Sequence, residues 1–336
     1  MQKFTIKNIG KDLFQSDLFQ IGSNVIHVEI EGSDFDFPMV APHQSEFAKA
    51  KSVGVTLESP LLQFIHRIEQ EKRITNDSIM DEITEKLVNF FDENPNLIVD
   101  SYFQFWQEFL PTDAERGRIL DSQYNAGSLI ISDYETEINQ SVRKFENQLN
   151  ESLDNYPKNI LSPTIDMALV PVEKLEKKID LLFKYGIKRF NVIYRSMIDE
   201  QDNWITLSKK IYGKNIWCNV VGVPTQYYSQ YNKFSLISAV FFYGAHTASL
   251  QYPRFPKSSG KPVVKETKKA TVHLFEPNTG YFEIVNDISD ERARALSINE
   301  LVKYSKKIQP KIISKSYYSK FVPTQTHLNS MLQSIM

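Results

Sequence analysis

The chain has 336 residues, with 39 Lys and Arg against 41 Asp and Glu, one cysteine and 41% hydrophobic residues. This composition is typical of a soluble globular protein and excludes a disordered tail, a collagen and a disulfide-rich scaffold. The lone Cys218 excludes an intramolecular disulfide and any zinc site built on several thiolates. Neither a signal peptide nor an apolar run of 18 residues occurs, so we expect a cytoplasmic protein that does not enter a membrane.

Charge is distributed unevenly along the chain. Residues 253–336 carry 14 Lys and Arg and seven Asp and Glu, whereas residues 1–252 are net acidic. A basic segment of this kind is either a surface that faces a polyanion such as nucleic acid or simply a solvated surface. We predict a main domain over residues 1–252 and a basic C-terminal extension, residues 253–336, that packs on it.

In chain order, the first predicted elements are strands at Phe4–Ile9 and Asn24–Ile30, which indicate an N-terminal antiparallel region. A helix is predicted over Ser78–Phe91, where apolar residues recur every four positions. It would pack beside the main domain.

The middle of the chain alternates strands with helices. Apolar stripes that start at Ile138 and Val172 predict two amphipathic helices, and Gly186 lies where the second helix would end. The strands start 20 to 31 residues apart, which is typical of a βα repeat. The predicted strands are Ser128–Ser132, Asn159–Ile165, Arg189–Tyr194, Asn215–Val221 and Ser235–Phe242.

A βα repeat produces a parallel sheet, either open and doubly wound or closed into an eight-stranded barrel. No GxGxxG or P-loop pattern follows a strand, so the phosphate-binding turns of common doubly wound enzymes are missing. We therefore predict an α/β protein with a TIM-like (β/α)8 barrel, an N-terminal antiparallel sheet and a basic α+β extension. Strands at Thr271–Phe275 and Tyr281–Val285 and a helical tail from Ser297 would form the extension.

Several short segments, taken in order, resemble one family. LIVDSYFQ, residues 97–104, is similar to the DSGGFQ signature of the guanine-exchanging transglycosylases that place 7-deazaguanine bases into nucleic acid. RILDSQYNAGSLIISDY, residues 118–134, resembles the stretch that leads to the family's base-recognising aspartate, here Asp133. NVVGVPT, residues 219–225, resembles its glycine-containing turn. Leu236–Arg254 and His327–Ile335 resemble its aromatic loop and closing helix.

The resemblance implies membership of the queuine and archaeosine tRNA-guanine transglycosylase superfamily, which includes a branch that modifies DNA. It implies a pentosyltransferase with a TIM-like barrel and no cofactor. The partners would be nucleic acid, either DNA or tRNA, and a 7-deazaguanine base. The chain would act alone or as a homo- or heterodimer.

Two features depart from the family pattern. The family's nucleophilic aspartate ends a strand in an FD pair, whereas this chain has Ile237 and Ser238 there and no acidic residue from Phe234 to Tyr252. The tRNA-modifying members also hold a zinc ion with several cysteines, which Ser297–Ser305 lacks. We therefore expect no metal, and DNA is slightly favoured over tRNA.

Base exchange requires a carboxylate that stabilises or attacks the anomeric carbon and a second group that moves protons. The resemblance assigns proton transfer to Asp100. Asp166 ends the neighbouring predicted strand and is the candidate replacement for the missing nucleophile. Ser238 is a weaker candidate because a hydroxyl needs an activating base, for which His246 is available. The alternatives are a capping or loop role for each aspartate and a structural role for His246.

The candidate base pocket centres on Asp133, because an ionised carboxylate matches two adjacent donors on the guanine edge. Helix capping is the alternative role for Asp133. The other candidate substrate-binding residues are Ser101, Gln104, Gly222, Tyr243 and His246. The candidate phosphate contacts are Arg254, Lys257, Lys265, Lys268 and Lys269.

Three functions remain open from the sequence. The first is exchange of guanine for a 7-deazaguanine base in nucleic acid. The second is a non-catalytic nucleic-acid-binding subunit of a transglycosylase complex, which the absence of the expected aspartate suggests. The third is an unrelated barrel enzyme that acts on a small metabolite.

Overall fold

The computed structural model describes residues 4–17, 19–30, 32–68, 77–105, 110–168, 170–197, 199–224, 235–251, 272–286 and 288–335. Over these residues the chain is an α/β protein in which parallel strands alternate with helices. An antiparallel sheet precedes them, so the coarse fold prediction is confirmed.

The N-terminal sheet consists of β1 (Phe4–Gln15), β2 (Gln20–Ile30) and β3 (Ser33–Phe37), paired antiparallel in that order. Ile26 and Val28 of this sheet share one apolar cluster with the first residues of four parallel strands, Met39, Leu61, Ile98 and Trp217. The sheet therefore covers the N-terminal ends of the parallel strands.

The parallel strands form two groups. Six of them pair in the order β4-β11-β10-β9-β8-β7, and two more, β5 and β6, pair with each other. An isolated parallel bridge between His43 and Gln63 joins the end of β4 to β5. The strands are β4 (Met39–Ala41), β5 (Leu61–Ile68), β6 (Ile98–Phe105), β7 (Ile131–Asp133), β8 (Leu161–Asp166), β9 (Arg189–Ile193), β10 (Trp217–Val223) and β11 (Thr247–Leu250).

Helices separate these strands and cover their outer faces. Gly186 ends α5 in the left-handed conformation at φ 72°, as predicted for a helix C-cap. Ile138 lies before α4 and is 76% exposed, so the apolar stripe predicted from Ile138 begins only at Val142. The helices are α1 (Gln44–Ser52), α2 (Asp77–Glu93), α3 (Asp113–Asn125), α4 (Val142–Asn155), α5 (Val172–Tyr185), α6 (Gln201–Ile211) and α7 (Leu236–Phe242).

One predicted strand is wrong. Residues 236–242 form the helix α7, and the strand that follows β10 is β11, which begins at Thr247. Every residue of α7 is buried, and a short apolar run that is buried on all sides has the same sequence pattern as a buried strand. The Ser235 side chain caps this helix by accepting a hydrogen bond from the Ser238 amide at 3.4 Å.

The C-terminal region begins with the predicted hairpin of β12 (Val272–Glu276) and β13 (Tyr281–Val285). It continues with α8 (Asp290–Ile313) and ends with α9 (Thr326–Ile335). Asn299 of α8 bonds to the amide of Glu58 and the carbonyl of Thr56, which fastens α8 to the segment before β5. In the described part of the chain, every helix is too short or too polar to cross a membrane.

Candidate active site

Polar side chains lie on the inner face of the parallel strands. Asp100 of β6 bonds to Arg189 of β9 and Asn219 of β10, although β6 is adjacent to neither strand in its sheet. These bonds therefore connect strands of two separately paired groups. The neighbouring buried polar side chains are Gln63, Ser132, Ser162, Thr164, Asn191, Thr247 and Ser249.

Asp100 is locked in a buried ion pair. Its Oδ2 accepts hydrogen bonds from Arg189 Nη2 at 2.5 Å and from Asn219 Nδ2 at 3.2 Å. The Arg189 guanidinium also lies 4.5 Å from the Trp217 ring and donates to Ser162 Oγ at 2.6 Å. Burial raises the pKa of Asp100, an effect that the Arg189 charge opposes. Both side chains are 2% exposed, so proton transfer by Asp100 would require a substrate to reach a buried position.

The other residues of the DSYFQ segment alternate between the two faces of β6. Ser101 is buried on the outer side and donates to Gln123 Oε1 at 2.7 Å. Gln104 shares the face of Asp100 but lies near the C-terminal end of the strand, where it is partly exposed. Of the two, only Gln104 is near a strand end that a substrate could approach.

Asp133 is fully engaged with helices α3 and α4. Arg116 donates to its two oxygens at 2.6 and 2.9 Å, the Ser152 hydroxyl donates at 2.8 Å, and the Tyr134 amide donates at 2.7 Å. Four hydrogen bonds nearly fill the acceptor capacity of a carboxylate. A guanine edge could bind Asp133 only by displacing these partners.

The C-terminal ends of β8 and β9 carry a second ion pair. Asp166, the last residue of β8, accepts two hydrogen bonds from Arg195 at 2.9 and 2.5 Å. The side chains are 17% and 29% exposed, so this carboxylate, unlike Asp100, meets solvent. Tyr102 lies nearby, and the charge of Asp166 adds to burial in raising the pKa of this tyrosine.

Glu135 lies beside Asp166, two residues beyond β7. It forms an ion pair with Lys178 of α5, and both side chains are almost fully buried. Burial raises the pKa of Glu135 to about 7, against the opposing charge of Lys178. The edge thus places an acidic group that titrates near neutral pH next to a partly exposed carboxylate. The sequence analysis did not select Glu135, Lys178 or Arg189.

Gly222 marks open space at the same end of the sheet. It lies at an irregularity in the pairing of β10 with β11 and has φ 81°, a conformation that favours glycine. No heavy atom lies within 4 Å of the point that a Cβ atom would occupy there. Gly222 therefore remains a candidate for contact with a substrate.

Ser238, Tyr243 and His246 lie away from this edge because the chain forms α7 where a strand was predicted. Ser238 is fully buried in α7, and Tyr243 packs against Phe242 with ring centroids 5.2 Å apart. His246 precedes β11, and its Nδ1 accepts a hydrogen bond from the Cys218 amide at 3.0 Å. Burial lowers the pKa of His246 to about 3. The wrong prediction here is the strand over Ser235–Phe242, so none of the three residues lies in or directly after a parallel strand.

The strand that does follow β10 carries hydroxyl groups. Thr247 and Ser249 of β11 donate to Asn219 Oδ1 at 2.7 and 2.9 Å, and β11 contains no acidic residue. The predicted phosphate contacts Arg254, Lys257, Lys265, Lys268 and Lys269 lie outside the described residues. Across the described ranges, no group of three His, Cys, Asp or Glu side chains is arranged to hold a metal ion.

No protein-family model matches the chain, and no curated protein matches it. Three of the solved structures that resemble it have TM-scores below 0.5, which do not identify a family. The putative copper homeostasis protein CutC from Streptococcus agalactiae is 12% identical with a TM-score of 0.36, over 65% of this chain and 100% of that one. D-allulose 3-epimerase from Methylomonas sp. is 10% identical with a TM-score of 0.39, over 64% and 86%. An L-Ala-D/L-Glu epimerase is 11% identical with a TM-score of 0.33, over 74% and 92%.

Proposed function

We propose that this chain exchanges guanine for a 7-deazaguanine base in nucleic acid, at the C-terminal ends of β7, β8 and β9. The observation that carries the proposal is the pair of carboxylates there. Asp166 is partly exposed and held by Arg195, while the neighbouring Glu135 has a pKa of about 7. Two adjacent carboxyl groups in different environments suit the separate tasks of nucleophile and acid–base group.

In the proposed reaction, an Asp166 oxygen attacks C1′ of a guanosine in the polynucleotide. The C1′–N9 bond breaks, its electron pair goes to the guanine, and protonated Glu135 donates a proton to the leaving base. The incoming 7-deazaguanine then attacks C1′ through N9. The C1′–O bond to Asp166 breaks, and Glu135 takes the N9 proton. Arg195 holds the carboxylate in place through two hydrogen bonds.

We also infer that β4 to β11 close into an eight-stranded barrel with the site at its C-terminal mouth. Pairing of β11 with β4 and the bridge from His43 to Gln63 support this inference. Between β6 and the residue that follows β7, the Phe103 amide donates a hydrogen bond to the Tyr134 hydroxyl at 2.6 Å, and the Tyr102 ring packs on the Tyr134 ring. A TIM-like barrel places catalytic groups at the strand ends where Glu135 and Asp166 lie.

For the substrate, we propose DNA in preference to tRNA, in the cytoplasm. The support is the sequence, in which the cysteine cluster of the tRNA-modifying relatives is missing. The five predicted phosphate contacts, all within residues 252–271, would add attraction to the phosphates of either polynucleotide.

The test is release of labelled guanine from DNA and from tRNA when a 7-deazaguanine base is added. The proposal predicts release with DNA, slower release with tRNA, and one incorporated base for each guanine lost. Free guanosine should react much more slowly because it lacks the phosphates. Absence of release from both polynucleotides would overturn the proposal.

A non-catalytic subunit is the second candidate, and β11 favours it. The family resemblance expects a nucleophilic aspartate on the strand after β10, whereas that strand offers Thr247 and Ser249. Under this alternative the chain binds nucleic acid and a partner supplies the attacking group. Guanine release that requires an added homologue with the aspartate, and that continues after Asp166→Asn in this chain, would select it.

A further inference from the structure

Three consecutive turns that lead from a helix into a strand share a tyrosine and a lysine. The turn before β8 reads YPKNI at residues 156–160, and the turn before β10 reads YGKNI at residues 212–216. Between them, the turn before β9 reads YGIK at residues 185–188. Since β8, β9 and β10 are neighbours in the sheet, the turns lie side by side at the N-terminal ends of the strands.

The lysines of these turns form a continuous row. Lys158 Nζ is 3.8 Å from the point that a Cβ atom would occupy at Gly186, two residues before Lys188. Lys214 Nζ lies 5.7 Å from the centroid of the Phe183 ring, in the last turn of α5. The first contact joins the turn before β8 to the turn before β9, and the second joins the turn before β10 to the end of α5.

A fourth lysine extends the row from the N-terminal sheet. Lys11 of β1 has its Nζ 5.4 Å from the centroid of the Tyr212 ring and 3.6 Å from the Cβ point of Gly213. The row is therefore Lys11, Lys214, Lys188 and Lys158, and all four side chains are exposed.

These ammonium groups lack carboxylate partners within the described residues, since none lies within 4.0 Å of an Asp or Glu oxygen there. Two acidic side chains near the turns already have hydrogen-bond partners. Glu146 accepts from Lys184 and from the Tyr185 hydroxyl at 2.9 Å, and Asp121 accepts from the Tyr156 hydroxyl at 2.7 Å. Attraction to the negative end of a helix explains one lysine beside each helix. It does not explain Lys11, which comes from a different sheet.

We propose that Lys11, Lys158, Lys188 and Lys214 bind the phosphate backbone of nucleic acid at the end of the strands opposite Asp166. The lysines of the turns follow neighbouring helices, whose axes lie about 10 Å apart. Successive phosphates of a nucleic-acid strand lie closer together than this, so a bound strand can place one phosphate at each lysine. The partly exposed tyrosines beside the lysines can stack on bases of a single strand. The proposal does not depend on base exchange, because it concerns binding alone.

An acidic protein or an anionic membrane is the competing partner. Either would use apolar contacts as well, and Ile9 and Ile313 are 39% and 47% exposed near the row, with Ile313 packed on Gly10 of β1. Nucleic acid is favoured because each of the three turns pairs its lysine with a partly exposed tyrosine that can stack on a base, whereas the two isoleucines lie near Lys11 alone.

The test compares two fourfold variants with the same change in charge. One changes Lys11, Lys158, Lys188 and Lys214 to Gln, and the control changes the exposed Lys49, Lys51, Lys86 and Lys177 to Gln. Binding of a fluorescent single-stranded 20-mer is measured by anisotropy over a range of KCl concentrations, without any free base. Each lost phosphate contact lowers the slope of log affinity against log salt by about 0.7 to 0.9, so the row variant should flatten it by about 3.

The control should keep the slope of the unmodified protein, and equal thermal unfolding of all three proteins should exclude misfolding. An unchanged slope in the row variant would overturn the proposal, as would an equal loss in the control. Polyglutamate and phosphatidylserine vesicles are tested at the same total charge as the oligonucleotide. If either binds the unmodified protein as tightly as the oligonucleotide does, and the row variant loses that binding, the proposal would also be overturned. Because no exchange is measured, failure of the transglycosylase proposal would leave this result unaffected.

Discussion

Two ion pairs at opposite ends of β9 have the same chemistry and different surroundings. Arg189 begins the strand and bonds to Asp100 in the interior, where both side chains are 2% exposed. Arg195 follows the end of the strand and bonds to Asp166, where the side chains are 29% and 17% exposed. A buried pair is needed for stability once it exists, because loss of one partner leaves an unpaired charge. The pair at the edge contributes little to stability, so its carboxylate is available for chemistry.

The largest effect should follow loss of one member of the interior pair. Arg189→Met leaves Asp100 buried without its cation, and we expect unfolding to become easier by about 3 to 5 kcal/mol. Urea unfolding at pH 7 measures this change. Arg195→Met is the matched control and should cost less than about 1 kcal/mol. If the two variants lose similar free energies of unfolding, the two ion pairs do not differ in their importance for stability.

Removal of the proposed nucleophile, Asp166, should affect activity and not stability. Asp166→Asn should slow guanine release by at least about 1,000-fold, or about 4 kcal/mol of transition-state stabilisation. Asp180→Asn, which removes an exposed partner of Lys210, should leave the rate unchanged. The rates are measured with DNA at saturating 7-deazaguanine base. An Asp166→Asn variant that keeps its activity would remove Asp166 from the mechanism.

Glu135 should make the stability of the edge depend on pH. Its pKa is raised from an ordinary 4.5 to about 7, so the folded protein holds this proton more tightly than the unfolded chain. Stability from this group is therefore complete below pH 4.5 and is lost as pH rises towards 7, by up to about 3 kcal/mol. The double variant Glu135→Gln/Lys178→Met should lack this trend when urea unfolding is measured from pH 4.5 to 7.5. Parallel curves for the two proteins would contradict the pKa.

The smallest effect is expected at Ser238. Its side chain is buried in α7, outside the strands, so Ser238→Ala should change stability by less than about 1 kcal/mol and leave guanine release unaffected. Thermal unfolding and the release assay check the two statements. A loss of activity without a loss of stability would restore Ser238 as a candidate nucleophile.

Much of the fold could be predicted from the sequence because its signals are local. The alternation of β8, α5, β9, α6 and β10 follows from apolar periodicity and from Gly186 at a helix end. The strand predicted at residues 236–242 is wrong because an apolar run that is buried on all sides shows neither the helical nor the strand periodicity of polar and apolar residues. Sequence alone could not separate the two forms, since only the packing around α7 decides between them.

The candidate site was only partly predictable. Asp166 was found because it ends a strand, which is a local signal. The partners that distinguish Asp100 from Asp166 are Arg189 and Arg195, which are distant in sequence from the aspartates they bond, so no spacing could show these contacts. Glu135 was missed for a related reason. Its pKa depends on burial and on Lys178, 43 residues further along the chain.

The proposed reacting carboxylate lies at the C-terminal edge and not in the interior. Its position is measured most directly by peptide mapping with mass spectrometry, after the protein is mixed with guanine-containing DNA and quenched with acid, with no 7-deazaguanine base present. We expect a nucleic-acid adduct on the peptide that contains Asp166, and none on the peptide that contains Asp100. An adduct at Asp100 or on β11, or guanine release that leaves this chain unmodified, would contradict it.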